Sequence, residues 1–192
     1  MSFFIKLQKL IAITHIHNIA RRYLVVNGFD GALTNLGLLS GFYFHHVANL
    51  TLIMTACLGA AIALGMSGFS SAYVSEAAER KLEFKKLQDA MVTDISGSSH
   101  DKASRWMPLF IGAVNGLSPL IISLLTLTPL WMAEHGIVLF INPLILAMIV
   151  AFFIIFLLGV FLSNVSGSFW LFSGLQTLII AGFTFLLIYL IS

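Results

Sequence analysis

One carboxylate lies inside an otherwise apolar run. In "YLVVNGFDGALTNLGLLSGF", Tyr23 to Phe42, Asp30 is flanked by Asn27, Gly28 and Gly31. It sits about seven residues into the run, roughly 10 Å deep at about 1.5 Å per helical residue. An acid near the middle of a membrane helix costs on the order of 2.5–3.5 kcal/mol on insertion scales, so it must face protein, water or a cation. Its hard oxygens suit a hard divalent cation. A carboxylate that sheds a proton when metal enters and regains one when metal leaves is the physical basis of metal–proton antiport. Asn27, one turn earlier, shares its face. Gly28 and Gly31 allow a bend or local opening, which membrane helices tolerate where they line a cavity. The competing reading is a structural acid hydrogen-bonded to a neighbouring helix.

A second set of ligand types lies in "GMSGFSSAYVSEAAERKLEFKK", Gly65 to Lys86. Met66, Ser67, Ser70 and Tyr73 recur near helical spacing, followed by Glu76, Glu79 and Glu83. Such a ladder of thioether, hydroxyl and carboxylate groups can pass a divalent cation between cytosol and membrane. The ordinary alternative is a solvated helix with an i,i+4 pair Glu76–Arg80 and an i,i+3 pair Glu83–Lys86. Glu76, closest to the membrane, is assigned to the cation, with Glu79 sharing its role; Glu83 is assigned to the ordinary pairing. In "GAVNGLSPL", Asn115 and Pro119 interrupt an apolar helix, and the proline frees a carbonyl for water or an ion, or simply kinks the helix. Gln176 and Thr177 suit interhelical hydrogen bonds. His45, His46 and His135 are incidental surface residues or, less simply, exit ligands. No phosphate loop, G-x-G-x-x-G, H-E-x-x-H or G-x-S-x-G occurs, so neither ATP-driven transport nor a common hydrolase is expected, and the chain is read as a non-enzyme without a resident cofactor.

These groups need helices to hold them. Of the 192 residues, 59% are hydrophobic and only 9% charged, against about 25% charged in a soluble domain. Such a chain belongs in a bilayer. A span needs about 20 apolar residues. Five windows qualify: roughly Tyr23–Phe44, Ala48–Val74, Trp106–Trp131, Gly136–Leu162 and Ser168–Ile191. All 10 Lys and Arg lie either before the first window or between the second and third. With five spans these segments share one side, which the positive-inside rule makes cytosolic. The expected fold is an all-α membrane protein with five transmembrane helices, the N-terminus cytosolic and the C-terminus outside. "SEAAERKLEFKKLQDAM" contains no Gly or Pro, so span two extends as a helix into a cytosolic loop over 75–105, with a break at "SGSSHD". Residues 1–20 read as an amphipathic segment on the inner surface rather than a signal peptide. The single cysteine, Cys57, excludes an internal disulfide. Gly37/Gly41 and Gly112/Gly116 have the spacing of close helix contacts; spans one to three are read as the working core and span four, almost uniformly apolar, as more lipid-facing.

Three of these segments resemble the vacuolar iron transporter family. "RRYLVVNGFDGALTNLGLLSG" is similar to its opening pattern, "SGFSSAYVSEAAER" to the end of its second span and "FSGLQTLIIAG" to its last span. "GLSPL" resembles a Gly-x-x-Pro-Leu element of its third. The resemblance implies five spans, a homodimer, and export of Fe²⁺ or Mn²⁺ from the cytosol along a path lined by a span-one aspartate and a span-two methionine. The aspartate carries over to Asp30. Alignment on Tyr73-Val74-Ser75 places Gly68 at the methionine, with Met66 two residues away. The loop after Glu76 is too short for the family's glutamate-rich bundle, which points to a minimal, prokaryotic branch in a cell membrane rather than a vacuolar one. The expected partners are metal, protons, lipid and a second copy, and no nucleic acid. The rival readings are a non-transporting membrane protein and a transporter of another solute.

Overall fold

The computed structural model describes residues 16–91, 99–167 and 169–192. Five helices account for nearly all of them: α1 (Ile16–Phe44), α2 (Leu50–Met91), α3 (Ser99–Glu134), α4 (Pro143–Ser166) and α5 (Trp170–Ile191). Among the described residues, α2 to α5 are the four helices long and apolar enough to cross a membrane. The fold is that of an all-α membrane protein. α1 is long enough, but Asn27, Asp30 and Asn35 dilute its apolar run. Trp and Tyr mark both ends of three helices: Tyr23 and Tyr43 in α1, Trp106 and Trp131 in α3, Trp170 and Tyr189 in α5. Each pair is separated by roughly 28–38 Å at about 1.5 Å per residue, close to a hydrocarbon thickness of about 30 Å.

Side-chain contacts set the helix directions. Gly31 meets Pro119 and Asn35 meets Ser123, so α1 and α3 run the same way. Gly65 meets Gly116 and Thr51 bonds Glu134, so α2 runs against them. The described Lys and Arg therefore gather at one end of the bundle, called here the basic end. α2 continues unbroken to Met91, as its lack of Gly and Pro there predicts. α1 touches each of the other four helices, and α3 lies between α1 and α2.

The two halves of the bundle are held differently. Away from the basic end, the apolar core gathers Leu36, Leu39, Ile53, Cys57, Leu130 and Ile155. Nearer the basic end, backbone approaches backbone through glycine. A Cβ on Gly116 would lie 2.6 Å from the Gly65 carbonyl oxygen, and one on Gly31 would lie 2.8 Å from that of Pro119. The buried positions of α2, namely Ile53, Cys57, Ala61, Gly65, Gly68, Ala72 and Glu76, form one seam at steps of four, with a single step of three between Gly65 and Gly68.

Several expectations are corrected. Gly112 and Gly116 do sit at a helix contact, but among the described residues a Cβ on Gly41 would meet nothing within 4 Å and one on Gly37 only Ile188. The close-packing glycines of α1 are instead Gly28 and Gly31, and α1 stays helical through them rather than opening. α3 likewise continues through Pro108, Pro119 and Pro129. α4 begins at Pro143, not Gly136. Gly136 ends α3 in the left-handed region (φ 79°), and Asn142 caps α4 through the Leu144 N–H, leaving the apolar stretch 137–141 non-helical. Nor is α4 the more lipid-facing span: 44% of its apolar window is buried, as in α3, against 17% for α5. Uniform hydrophobicity does not reveal a helix's neighbours. Of "SGSSHD", Ser99 to Asp101 are helical, and the rest lies outside the described residues, as does most of the 1–20 segment.

The glycine contacts predict a stability pattern. Gly116→Ala and Gly31→Ala each push a Cβ into backbone that cannot yield cheaply, at a cost of about 1–3 kcal/mol. Gly41→Ala meets open space and leaves the protomer as stable as before. Thermal melts of the purified variants check the contrast.

Candidate functional site

The orientation of α1 decides where Asp30 points. Gly28 and Gly31 are buried against α3 and α4, where the Gly28 position meets Ser118, Ile122 and Leu158. Asp30 is one residue from Gly31, about 100° round the helix, and it is exposed. It does not point into the protomer, as a purely structural acid bonded to a neighbouring helix would. Val26 and Asp30, four residues apart, lie on the same exposed flank, which continues through half-exposed Thr34 towards Gly37 and Gly41.

Asn27 is half-buried and turns the other way. Its Nδ2 donates to the Tyr23 carbonyl (3.0 Å) and to Asn115 Oδ1. Asn115 Nδ2 donates in turn to the Gly68 carbonyl (2.7 Å). One asparagine thus joins α1, α3 and α2. Ser118 Oγ adds a bond to the Leu24 carbonyl (2.6 Å). Pro119 removes the donor that would satisfy the Asn115 carbonyl within the helix. That oxygen faces Gly68, 3.2 Å from where a Cβ would stand. The Asn115–Pro119 pair therefore builds a three-helix junction without breaking α3.

The same junction explains position 68. Gly68 is buried against Asn115, so a large side chain does not fit there. Met66, two residues away and about 200° round the helix, is 60% exposed. Gly65 lies level with Gly116, and Gly31 with Pro119, three residues further along α3. Asp30 therefore lies about one turn deeper than Met66. Ser67, Ser70 and Tyr73 are also exposed.

Glu76 follows the apolar stretch of α2. Glu76 nevertheless ends the buried seam of α2 and is only 5% exposed. Burial raises its pKa; the Arg80 guanidinium opposes this, and the Glu79 and Glu83 charges add to the rise. Arg80 Nη2 lies 3.5 Å from Glu76, and Nη1 donates to Glu83 at 2.7 Å. The expected Glu76–Arg80 pair is present, but Glu83 pairs with Arg80 instead of Lys86. Glu79 is exposed.

At the opposite end, His45 and His135 bond their own helix carbonyls at Gly41 and Trp131, and His46 adopts φ 53° in the turn that ends α1. Thr177 makes the expected interhelical bond, to the Ile155 carbonyl (3.1 Å), while Gln176 is exposed. Among the described residues, no group of three or more His, Cys, Asp or Glu is arranged to hold a metal ion. Within one protomer, Asp30, Met66, Glu76 and Glu79 are therefore separate donors along two helices. The Asn115 junction and the double partner of Arg80 were missed by sequence reasoning. The only signals were an asparagine before a helix glycine, and Arg80 three and four residues from two acids. No protein-family model, curated protein or solved structure matches the chain.

The junction carries its own prediction. Asn115→Ala leaves the Gly68 carbonyl and the Asn27 amide each short of a partner, and destabilises the bundle by about 1–2 kcal/mol, given roughly 0.6 kcal/mol or more per intramembrane bond. Asn27→Ala costs less. A double-mutant cycle read by thermal unfolding shows coupling between them, whereas additive losses mean the two side chains do not bond.

Proposed function

We propose that this chain is a divalent metal transporter, a divergent member of the vacuolar iron transporter family, that moves Fe²⁺ or Mn²⁺ out of the cytosol in exchange for protons. The observation that carries the reading is Asp30: the only acid inside the apolar stretches of the helices, exposed on the outer flank of α1. Left against lipid, an acid at that depth is costly. Covered by a second copy and water, it becomes a cation ligand. The Gly37–Gly41 end of the same flank has little packed against it within the protomer, which favours a homodimer formed along α1.

In this reading α1 is the fifth span. Tyr23 and Tyr43, about one hydrocarbon thickness apart, serve as its interfacial anchors. The basic end faces the cytosol and α5 ends outside. Metal enters past Glu76 and Glu79, meets the exposed Met66, and reaches Asp30 about one turn deeper. Hard carboxylates and a single thioether suit Mn²⁺ and Fe²⁺ better than a thiophilic metal. Asp30 releases its proton as metal binds and recovers one as metal leaves. Asn27 is committed to Asn115 and acts in this scheme by fixing the rotation of α1, not as a ligand.

The test is Mn²⁺ flux into proteoliposomes with a proton-sensitive dye present. Asp30→Asn keeps shape and hydrogen bonding but cannot titrate, so metal flux and metal-dependent proton movement should both fall at least about tenfold in a folded protein, equivalent to losing about 1.4 kcal/mol of binding. Glu76→Gln gives a milder loss, seen as weaker apparent affinity. Normal flux from folded Asp30→Asn protein would remove the proposal.

A further inference from the structure

At the basic end, one guanidinium serves two unlike carboxylates. Glu76 and Glu83 stand four residues before and three after Arg80, on one face of α2. The Glu76 side chain is only 6% exposed, whereas that of Glu83 is 62% exposed. Arg80 itself is 16% exposed. Its short bond, 2.7 Å, goes to the exposed acid; the buried acid receives only a 3.5 Å contact. Among the described residues, Arg80 Nε is buried without a hydrogen-bond partner. The arrangement is lopsided, because a buried charge needs close compensation more than an exposed one does. A contact of 3.5 Å is at the limit of a hydrogen bond, so the carboxylate that most needs a counter-ion holds it least tightly.

We propose that Arg80 is a tethered cation that occupies the entry carboxylate Glu76 until a divalent metal displaces it. The proposal rests on the transport reading above. Displacement breaks only the 3.5 Å contact, since the guanidinium keeps its short bond to Glu83 as it leaves Glu76. A divalent ion brings twice the charge of the guanidinium and can approach the carboxylate directly. A monovalent ion has no such advantage, so Arg80 filters for charge at the mouth of the path. A lysine could not serve in the same way, because its single ammonium cannot present the planar fork that reaches both acids. Glu83 acts through Arg80 as a positioning residue.

The experiment uses the full chain in lipid nanodiscs with Mn²⁺ alone as the probe, free Mn²⁺ being counted by its paramagnetic resonance signal, with flux measured in parallel. Arg80→Gln is expected to bind Mn²⁺ about five- to tenfold more tightly, the scale of one modest ion pair. Arg80→Lys gives a smaller gain in the same direction and decides the matter if Arg80→Gln does not fold. The gain disappears in Glu76→Gln/Arg80→Gln. Glu83→Gln weakens Mn²⁺ binding when Arg80 is present and has no effect in the Arg80→Gln background. A folded Arg80 variant that binds Mn²⁺ no better than the parent, or whose gain survives removal of Glu76, overturns the proposal. If the parent protein carries Mn²⁺ flux but the Arg80 variants gain nothing, this inference alone fails. If the parent neither binds nor moves Mn²⁺, the transport reading fails and takes this inference with it.

Discussion

The backbone of α3 is the surface on which the rest is built. Gly116 lies against Gly65 on one side and Pro119 against Gly31 on the other, both closer than any side chain would permit. These contacts hold α1 and α2 to one central helix and fix how each is rotated about its axis. A helix has a limited circumference, so turning Gly28 and Gly31 inward turns Asp30 outward. Turning Gly65 and Gly68 inward leaves Met66 outside. The exposed positions of the two candidate ligands are thus consequences of where glycine is spent.

The polar groups follow the same division. Asn27, Asn115 and Ser118 satisfy one another and the backbone across the glycine contacts, where few large apolar side chains meet. Towards the other end, Leu36, Leu39, Ile53 and Leu130 form a buried apolar core. Packing in lipid gains little from hydrophobicity, so close approach and hydrogen bonding do more of the holding. Beyond its apolar stretch, α2 keeps its buried seam as far as Glu76, a nearly buried carboxylate. In the proposed mechanism that carboxylate is the first ligand a cytosolic cation meets, and the outward flank of α1 is the route it then follows.

Much of this was legible in the sequence because it depends on composition along a single helix. Five helical segments, the unbroken run of α2 into "SEAAERKLEFKK" and the small-residue contact at Gly112/Gly116 all follow from local patterns. Facing was harder to read. Gly37/Gly41 and Gly28/Gly31 both offer small residues on one side of α1, and nothing local says which pair meets α3. Asn115 before Pro119 reads as a break because proline removes a donor. Its use as a bridge needs the Gly68 carbonyl and the Asn27 amide, which come from two other helices. The apolar run 137–141 reads as part of a span until Pro143, with Asn142 as its cap, fixes where α4 can start. The rotation of Asp30, on which the functional proposal turns, was legible only as a question: an acid has to face something other than lipid.

The most direct test of that proposal asks what covers the Asp30 flank. Val26 is 52% exposed and lies one turn from Asp30 on the same flank, and the native cysteine, Cys57, is fully buried. Val26→Cys in a Cys57→Ser background therefore reports this surface alone, because thiols react with water-soluble, membrane-impermeant reagents only where water reaches them as thiolate. If the flank lines a hydrated cation path, such a reagent labels Val26→Cys protein in membranes, and Mn²⁺ slows the labelling. If only lipid-soluble reagents label it, and Mn²⁺ changes nothing, the flank faces lipid and Asp30 is not a ligand on a transport path.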